Sequence, residues 1–491
     1  MKPYYQSTRL NSEVLDGKAA VLRGISPDGG LYVWPELGEE KLDLDKMSKL
    51  DYKQEALEVF SHLLSGYSDQ ELADCVEQAY SNTFCAPEIT PLVSVGDLDV
   101  LELFHGPTSA FKDVALTILP HFLSKALADR NQKALILTAT SGDTGKAAMS
   151  GFQDVENTGI CVFYPDGKVS SVQYKQMASQ PGQNVKVVAV EGNFDDAQSM
   201  VKKLFLDDEL REELAEKGVV LSSANSINIG RLIPQIVYYF DAYRQLVNSG
   251  RIALGDEVSF SVPTGNFGDV LAGYYAKLLG LPVKKFYVAS NANNVLTDFL
   301  EKGVYDRNRP FYQTISPSMD ILISSNLERL LYYASGKDHK KVAAWMKDLT
   351  DTGKYELDEP TLEAIQSLFE GGYYTDEQLK ETIARTYKET GYVLDTHTAA
   401  AYALGQARKG EEPLIVLSTA SPYKFSQDVL SSLGEEEQDP WKAMEKLSAH
   451  NAQPIPEALA ALQEKEILHT AKANPEGMKD AVRMAAQEIF S

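Results

Sequence analysis

Lys112 stands between an aromatic residue and an aspartate in Phe104-His105-Gly106-Pro107-Thr108-Ser109-Ala110-Phe111-Lys112-Asp113, after a Gly-Pro turn and before an apolar helical run. A protonated lysine is a poor nucleophile. Desolvation or a neighbouring cation lowers its pKa and frees an amine that can capture a carbonyl group. Phe104, Ala110 and Phe111 are the apolar residues at hand for that desolvation. The same residues also read as an ordinary loop lysine, and the segment alone does not separate the two.

Two further loops carry Gly, Asn, Asp, Ser and Thr after strand-like runs. Thr264-Gly265-Asn266-Phe267-Gly268-Asp269 is a phosphate-cradle candidate: its glycines let backbone approach an anion, and the helix that follows adds its positive end. It lacks the Gly-Lys-Ser/Thr ending of a nucleotide P-loop and is not G-x-G-x-x-G. Its alternative is a tight strand-to-helix turn. Thr140-Ser141-Gly142-Asp143-Thr144-Gly145 adds hydroxyls to its N–H groups, which suits a small carboxylate, although Asp143 also reads as a helix cap. Thr419 ends another buried strand. A phosphate cradle, a carboxylate nest and an apolar-flanked lysine fit pyridoxal phosphate and an amino-acid substrate better than any other ligand class.

The elements that must position these loops follow from the hydrophobic pattern. Val100 to Phe104, Ala134 to Ala139, Ile160 to Tyr164, Val185 to Val190, Val219 to Leu221, Val258 to Val262, Val283 to Ala289 and Leu414 to Leu417 read as strands, with helices between them. Continuous apolar runs such as Ala134 to Ala139 indicate strands covered on both faces. Repeated strand–loop–helix units predict an α/β chain with mostly parallel sheets. Tyr52 to Tyr80 reads as mostly helical, with Leu57, Phe60 and Leu64 on one face; Asp358 to Glu389 reads as helical and charged, and Leu414 to Leu417 as the last clear strand. Composition shifts mark boundaries near 90 and 432, which give an N-terminal cap domain over 1–90, an α/β core over 91–431 and an acidic, then helical, tail over 432–491.

Charge and cysteine content set outer bounds. The chain has 491 residues and a formal net charge of -23, against a nucleic-acid or anionic membrane partner, both of which need a basic face. An anionic substrate therefore needs a locally positive pocket. Cys75, Cys85 and Cys161 are odd in number and widely spaced, which fits a reducing cytoplasm. The opening residues lack the apolar core of a secretory signal, and no run reaches membrane-spanning length. The histidines are scattered, without H-E-x-x-H, so no metal site is expected.

The motifs taken together resemble threonine synthase, a pyridoxal-phosphate family of the tryptophan-synthase-β-like fold, fold type II. The resemblance is carried by Tyr5-Gln6-Ser7-Thr8-Arg9, Ala20-Val21-Leu22-Arg23-Gly24, Pro27-Asp28-Gly29-Gly30-Leu31-Tyr32-Val33, the lysine segment, Ser141-Gly142-Asp143-Thr144-Gly145, Asn225-Ser226-Ile227-Asn228, Gly265-Asn266-Phe267-Gly268-Asp269, Ser316-Pro317-Ser318-Met319-Asp320-Ile321 and Ser418-Thr419-Ala420. It spans nearly the whole chain, and the lysine segment is its most specific part. On that resemblance the core over 91–431 is catalytic and made of two α/β subdomains. It implies Lys112 as the Schiff-base lysine, Gly265, Asn266, Phe267 and Gly268 around the cofactor phosphate, and Thr419 bonding the pyridine nitrogen. It also implies Asp143 beside the 3′-oxygen of the ring, and Ser141 and Thr144 at the substrate carboxylate. Arg9, Asn228, Arg231 and Lys146 are its candidates for the substrate phosphate; Arg9 also reads as an inter-domain ion-pair residue. Two positions depart from the pattern. Ser421-Pro422-Tyr423-Lys424-Phe425 stands where many relatives read His-Pro-Ala-Lys-Phe, and Lys146 stands where others carry smaller residues.

The resemblance implies conversion of O-phospho-L-homoserine and water to L-threonine and phosphate in the cytoplasm, and its long form with a cap points to a monomer. Two alternatives stay open at this point: a phospho-lyase or dehydratase using the same cofactor, and a phosphate-ligand binding protein without catalysis.

Overall fold

A computed structural model describes residues 3–140, 142–192 and 194–491. The near-continuous apolar runs become the strands of two separate sheets. In the first, the order is Phe369–Tyr373, Val283–Ser290, Val258–Pro263, Leu414–Ser418, Leu98–Glu102 and Leu92–Val95. All neighbours are parallel except the last pair, an antiparallel hairpin at the edge. The second sheet, parallel throughout, runs Ala471–Ala473, Val185–Val190, Thr158–Pro165, Lys133–Ala139 and Val219–Ser222. Parallel strands need crossover helices, and those helices bury both faces. The predicted α/β fold with mostly parallel sheets is thus the observed one.

Strand order decides which loops meet. Leu98–Glu102 pairs with Leu414–Ser418, which pairs in turn with Val258–Pro263. The segments leaving their carboxyl ends are those that carry Lys112, Thr419 and Gly265. Ligands of open α/β sheets bind in this position. The helix Asp143–Phe152 then crosses the helix Lys112–Leu116 with no side chain between them: a Cβ on Gly151 would lie 1.8 Å from the carbonyl oxygen of Leu116. Only glycine permits that approach, which draws the second anion loop toward the lysine.

The helix Ile229–Asn248 is buried nearly all round, as expected of a helix inside a core rather than on a surface. It packs on the helix Tyr52–Leu63, and the largest apolar cluster runs continuously from Tyr5, Trp34 and Phe60 to Phe260 and Phe286. No helix among the described residues is long and apolar enough to cross a membrane.

Tyr52 to Tyr80 is mostly helical as expected, in two helices, Tyr52–Leu63 and Asp69–Tyr80, parted at Gly66 with φ 88° and restarted by a Ser68 capping box. Phe60 and Leu64 are buried and Leu57, partly buried, packs against the same core, beside Ala56, Val59 and Leu63. Other expectations need correction. The charged stretch over 358–389 hides the edge strand Phe369–Tyr373, whose Gly371 and Gly372 mask the β pattern. Leu414–Ser418 is not the last strand, because Ala471–Ala473 pairs with Val185–Val190. The tail therefore contributes a strand as well as helices, and its helix Met478–Phe490 packs against the second sheet.

Candidate active site

Lys112 opens a short helix whose preceding residues are strapped to the Thr419 segment. The N–H of Phe111 donates to Thr419 O at 2.9 Å, the N–H of Ser421 donates to Ser109 O at 3.0 Å, and Ala110 bridges Ala420. This antiparallel bridge, beyond the ends of two parallel strands, fixes the lysine segment against the threonine segment. Asp113, next to Lys112, points back: Thr108 donates to it through Oγ1 at 2.6 Å and through its N–H at 2.8 Å. Burial raises the Asp113 carboxyl, against those two hydrogen bonds.

The Lys112 amine is desolvated as the apolar flanks suggest. Burial is the main cause that lowers it to about 8; Asp143 opposes the shift, while Lys424 and Arg231 add to it. Nζ lies 5.6 Å from the Phe111 ring centroid and 3.5 Å from Ser318 Oγ. Ser318 belongs to the irregular turn Pro317–Met319, and its N–H donates to Nε2 of buried His397 at 3.1 Å. Nε2 accepts, so the other ring nitrogen carries the hydrogen and donates to Asp395 Oδ1 at 3.0 Å. Sequence reasoning missed both His397 and Ser318. The signal was present in Asp395-Thr396-His397, a helix cap followed by a buried imidazole.

The carboxylate of Asp143 does not cap its helix; Gly142 occupies the cap position, and no capping side chain is present. Instead Asp143 faces Lys424, whose Nζ is 2.8 Å from Oδ1 and donates to Thr108 O at 2.9 Å. No aligned hydrogen bond reaches that Oδ1 within the described protein. Burial would raise the carboxyl, but Lys424 and then Lys112 hold it well below the usual carboxylate range. Ser421 is buried and caps the turn Pro422–Phe425 through Tyr423 N–H. Ser141 lies outside the described residues. Thr144 stands in the first turn of the Asp143 helix, half-buried.

The loop at Gly265 has the shape of an anion nest. Phe267 is buried in the left-handed region, φ 62° and ψ 4°, an unusual state for a bulky residue outside a functional turn. Among the described residues, the amides of Gly265, Asn266 and Phe267 have no acceptor. Gly265 is required, because a Cβ there would lie 2.8 Å from Ser318 O. Asn266 O accepts the N–H of Asn326, and Asn326 is held by Arg329, a fully buried guanidinium that also donates to Tyr32 O and Ile227 O. Arg329 is a second support that sequence reasoning missed. Asp269, one residue past Gly268, accepts from Tyr238 at 2.5 Å and from Tyr239 at 3.2 Å, and burial raises its carboxyl to about 7.

The four residues expected at the substrate phosphate, three cations and the amide of Asn228, separate. Arg231 is 3 % exposed, donates to Ala224 O at 3.0 Å, and leaves Nε without a partner; burial lowers it to about 10. No carboxylate pairs with it among the described residues, so its charge is buried without a counter-charge. Lys146 is lowered to about 7, by burial first and then by Lys465, and donates to Gln180. Arg9 is committed elsewhere, to both oxygens of Glu328 at 2.9 Å, so an ion pair is what the structure contains. Asn228 caps the helix Ile229–Asn248 through Gly230 N–H and donates to Val21 O, a structural use of both ends of its amide.

These residues fit pyridoxal phosphate. The donor set is one desolvated amine, a cradle of unpaired amides at a helix N-terminus, and the hydroxyl of the mostly buried Thr419.

Comparison with known proteins agrees. Residues 4–80 match the family described as threonine synthase N terminus, residues 88–418 that of pyridoxal-phosphate dependent enzymes, and residues 397–482 the C-terminal part of threonine synthase. The chain is 39 % identical to the threonine synthase of Pseudomonas aeruginosa over 94 % of each chain. It is 37 % identical to threonine synthase-like 1 of Homo sapiens over 96 % of this chain and 66 % of that longer one. The crystal structure of pyridoxal-phosphate-bound threonine synthase from Brucella melitensis superposes with a TM-score of 0.89 at 38 % identity, covering 99 % of this chain and 100 % of that one. The chain belongs to the threonine synthase family of pyridoxal-phosphate-dependent enzymes.

Proposed function

We propose that the chain converts O-phospho-L-homoserine and water to L-threonine and phosphate, the last step of threonine biosynthesis, in the cytoplasm and as a monomer. The observation that carries this reading is the pairing of a desolvated Lys112 with an unpaired, buried Arg231. One is a base near neutral pKa, and the other a cation without an anion, as a phosphorylated substrate requires.

Lys112 would hold the cofactor aldehyde, Gly265 to Gly268 its phosphate, Thr419 its pyridine nitrogen, and Asp143 the side of the 3′-oxygen. Bound there, pyridoxal phosphate supplies an electron sink that acidifies the α-carbon of an amino acid. Thr419, offering a hydroxyl and not a carboxylate to the ring nitrogen, would leave that nitrogen neutral and so temper the sink. The freed Lys112 amine takes the Cα proton and later a Cβ proton; a group lowered to about 8 has enough amine at neutral pH for both transfers. Arg231 and Lys146 bind the substrate phosphate before and after it leaves Cγ. Ser141 and Thr144 orient the substrate carboxylate. Residues 1–90 act as a cap on the core over 91–431, with 432–491 as a C-terminal segment.

The experiment is turnover of O-phospho-L-homoserine by the holoenzyme with both products measured. Phosphate and threonine in equal amounts support the reading; 2-oxobutyrate as the main product replaces it with a phospho-lyase or dehydratase that releases ammonia. Borohydride reduction should attach the cofactor to Lys112, and a colourless protein that takes up none ends the pyridoxal reading altogether.

A further inference from the structure

Beside the lysine segment, and unused by the reaction above, three side chains stand in nucleophile–base–orienter order. Cys85 is exposed, whereas Cys75 and Cys161 are buried and their thiols pushed up to about 12 by burial. Cys85 Sγ lies 3.6 Å from His105 Nδ1, and His105 Nε2 lies 2.8 Å from Glu102 Oε2. Glu102 is buried at the end of its strand, and its other oxygen accepts from Tyr392 at 2.8 Å and from Gln453 at 2.6 Å. A carboxylate only accepts, so Nε2 of His105 carries the hydrogen and Nδ1 turns its lone pair toward the thiol. A backbone bond locks the pair face to face: the N–H of Cys85 donates to His105 O at 2.9 Å.

We propose that Cys85, His105 and Glu102 form a thiol–disulfide exchange site that takes low-molecular-weight disulfides. Cys85 Sγ attacks one sulfur of the incoming disulfide while its proton passes to His105 Nδ1. The S–S bond breaks, a mixed disulfide forms on Cys85, and the departing thiolate takes the proton from His105. One thiol is oxidised and one half of the disulfide is reduced, so the exchange balances without another reactant. Glu102 holds the imidazole in the tautomer that accepts, the arrangement that activates nucleophiles generally. His105 also begins the segment that ends in Lys112, so a group on Cys85 sits against the loop that carries the lysine.

The test is the rate at which the native holoenzyme reacts with 5,5′-dithiobis(2-nitrobenzoate) and with oxidised glutathione at neutral pH, the modified thiol being located by mass spectrometry. Cys85 should react about tenfold faster than the cysteine of an unstructured peptide of the same local sequence, and His105→Gln should bring it down to the rate of the peptide. Glu102→Gln preserves side-chain shape and should do the same if His105→Gln disturbs the fold, which labelling of Cys75 or Cys161 would reveal. A rate no faster than that of the peptide, or one that Glu102→Gln leaves unchanged, overturns the proposal.

Discussion

Lys424 Nζ and Asp143 Oδ1 lie 2.8 Å apart with side chains only 3 % and 7 % exposed, and the charge of each is felt at Lys112. Asp143 favours the lysine cation and Lys424 disfavours it, so the ion pair limits how far Asp143 can restore the ordinary lysine pKa.

Lys424→Met should therefore act twice. It leaves Asp143 as an uncompensated buried charge, which costs about 3–5 kcal/mol of folding stability. It also removes the repulsion at Lys112 and frees Asp143 to attract it, so the Lys112 pKa climbs from about 8. Labelling of Lys112 by an amine-specific reagent in cofactor-free protein, followed against pH, reads the shift directly. An unmoved titration would mean that burial alone sets the Lys112 amine.

Most of the sheet was legible in the sequence, because strands covered on both faces show as unbroken apolar runs, as in Ala134 to Ala139. Phe369–Tyr373 escaped because two glycines interrupt it at the edge of the sheet, where Gly371 packs tightly on Thr297. At the site, Lys112 and Gly265 stood out through local chemistry. Lys424, His397 and Arg329 did not, since each acquires its partner from a remote segment: Lys424 from Thr108 and Asp143, His397 from Ser318, and Arg329 from Tyr32. Arg9 reads from the sequence as an ion-pair residue, and it is one, but its partner Glu328 is far away in sequence and was not legible.

Gly265 and Gly268 should respond differently to the same substitution. A methyl group at Gly265 meets the backbone oxygen of Ser318 at 2.8 Å, and neither side has freedom to yield. Gly265→Ala should lower stability by about 1–3 kcal/mol and weaken cofactor binding in equilibrium dialysis by about tenfold. At Gly268 the nearest atom is Asn326 Nδ2 at 3.4 Å, an ordinary contact. Gly268→Ala should stay within roughly 0.5 kcal/mol of the parent. Equal losses at both positions would show that the loop is tuned by something other than this contact.

Arg231 separates binding from stability. Truncating a structural arginine destabilises a fold, but an unpaired buried guanidinium is itself unfavourable. Arg231→Met should leave urea stability equal or higher while raising KM for O-phospho-L-homoserine by about 10–100-fold, the range of a charge-assisted hydrogen bond. A drop in stability with KM unchanged would reassign Arg231 to the scaffold.

Glu55 makes the stability of the fold depend on pH from well outside the site. It is fully buried on the helix Tyr52–Leu63, where neither oxygen accepts from a donor among the described residues and the carboxyl faces that of Asp241. The nearest cation, Arg244 Nε, is 3.7 Å away and pairs more closely with Asp241. Burial first, and then Asp241, push the carboxyl up to about 10, with Arg244 opposing. A carboxyl raised in the folded state keeps its proton after the unfolded chain has lost its own. Stability therefore falls as pH rises through the window between the ordinary glutamate value of 4.5 and about 10. The slope from this one group is at most about 1.4 kcal/mol per pH unit. Glu55→Gln removes it, so urea melts at about pH 5 and about pH 8 should show the parent losing on the order of 1–4 kcal/mol relative to the variant. Parallel curves would mean that Glu55 ionises in the folded state, and that Arg244 serves it as well as Asp241.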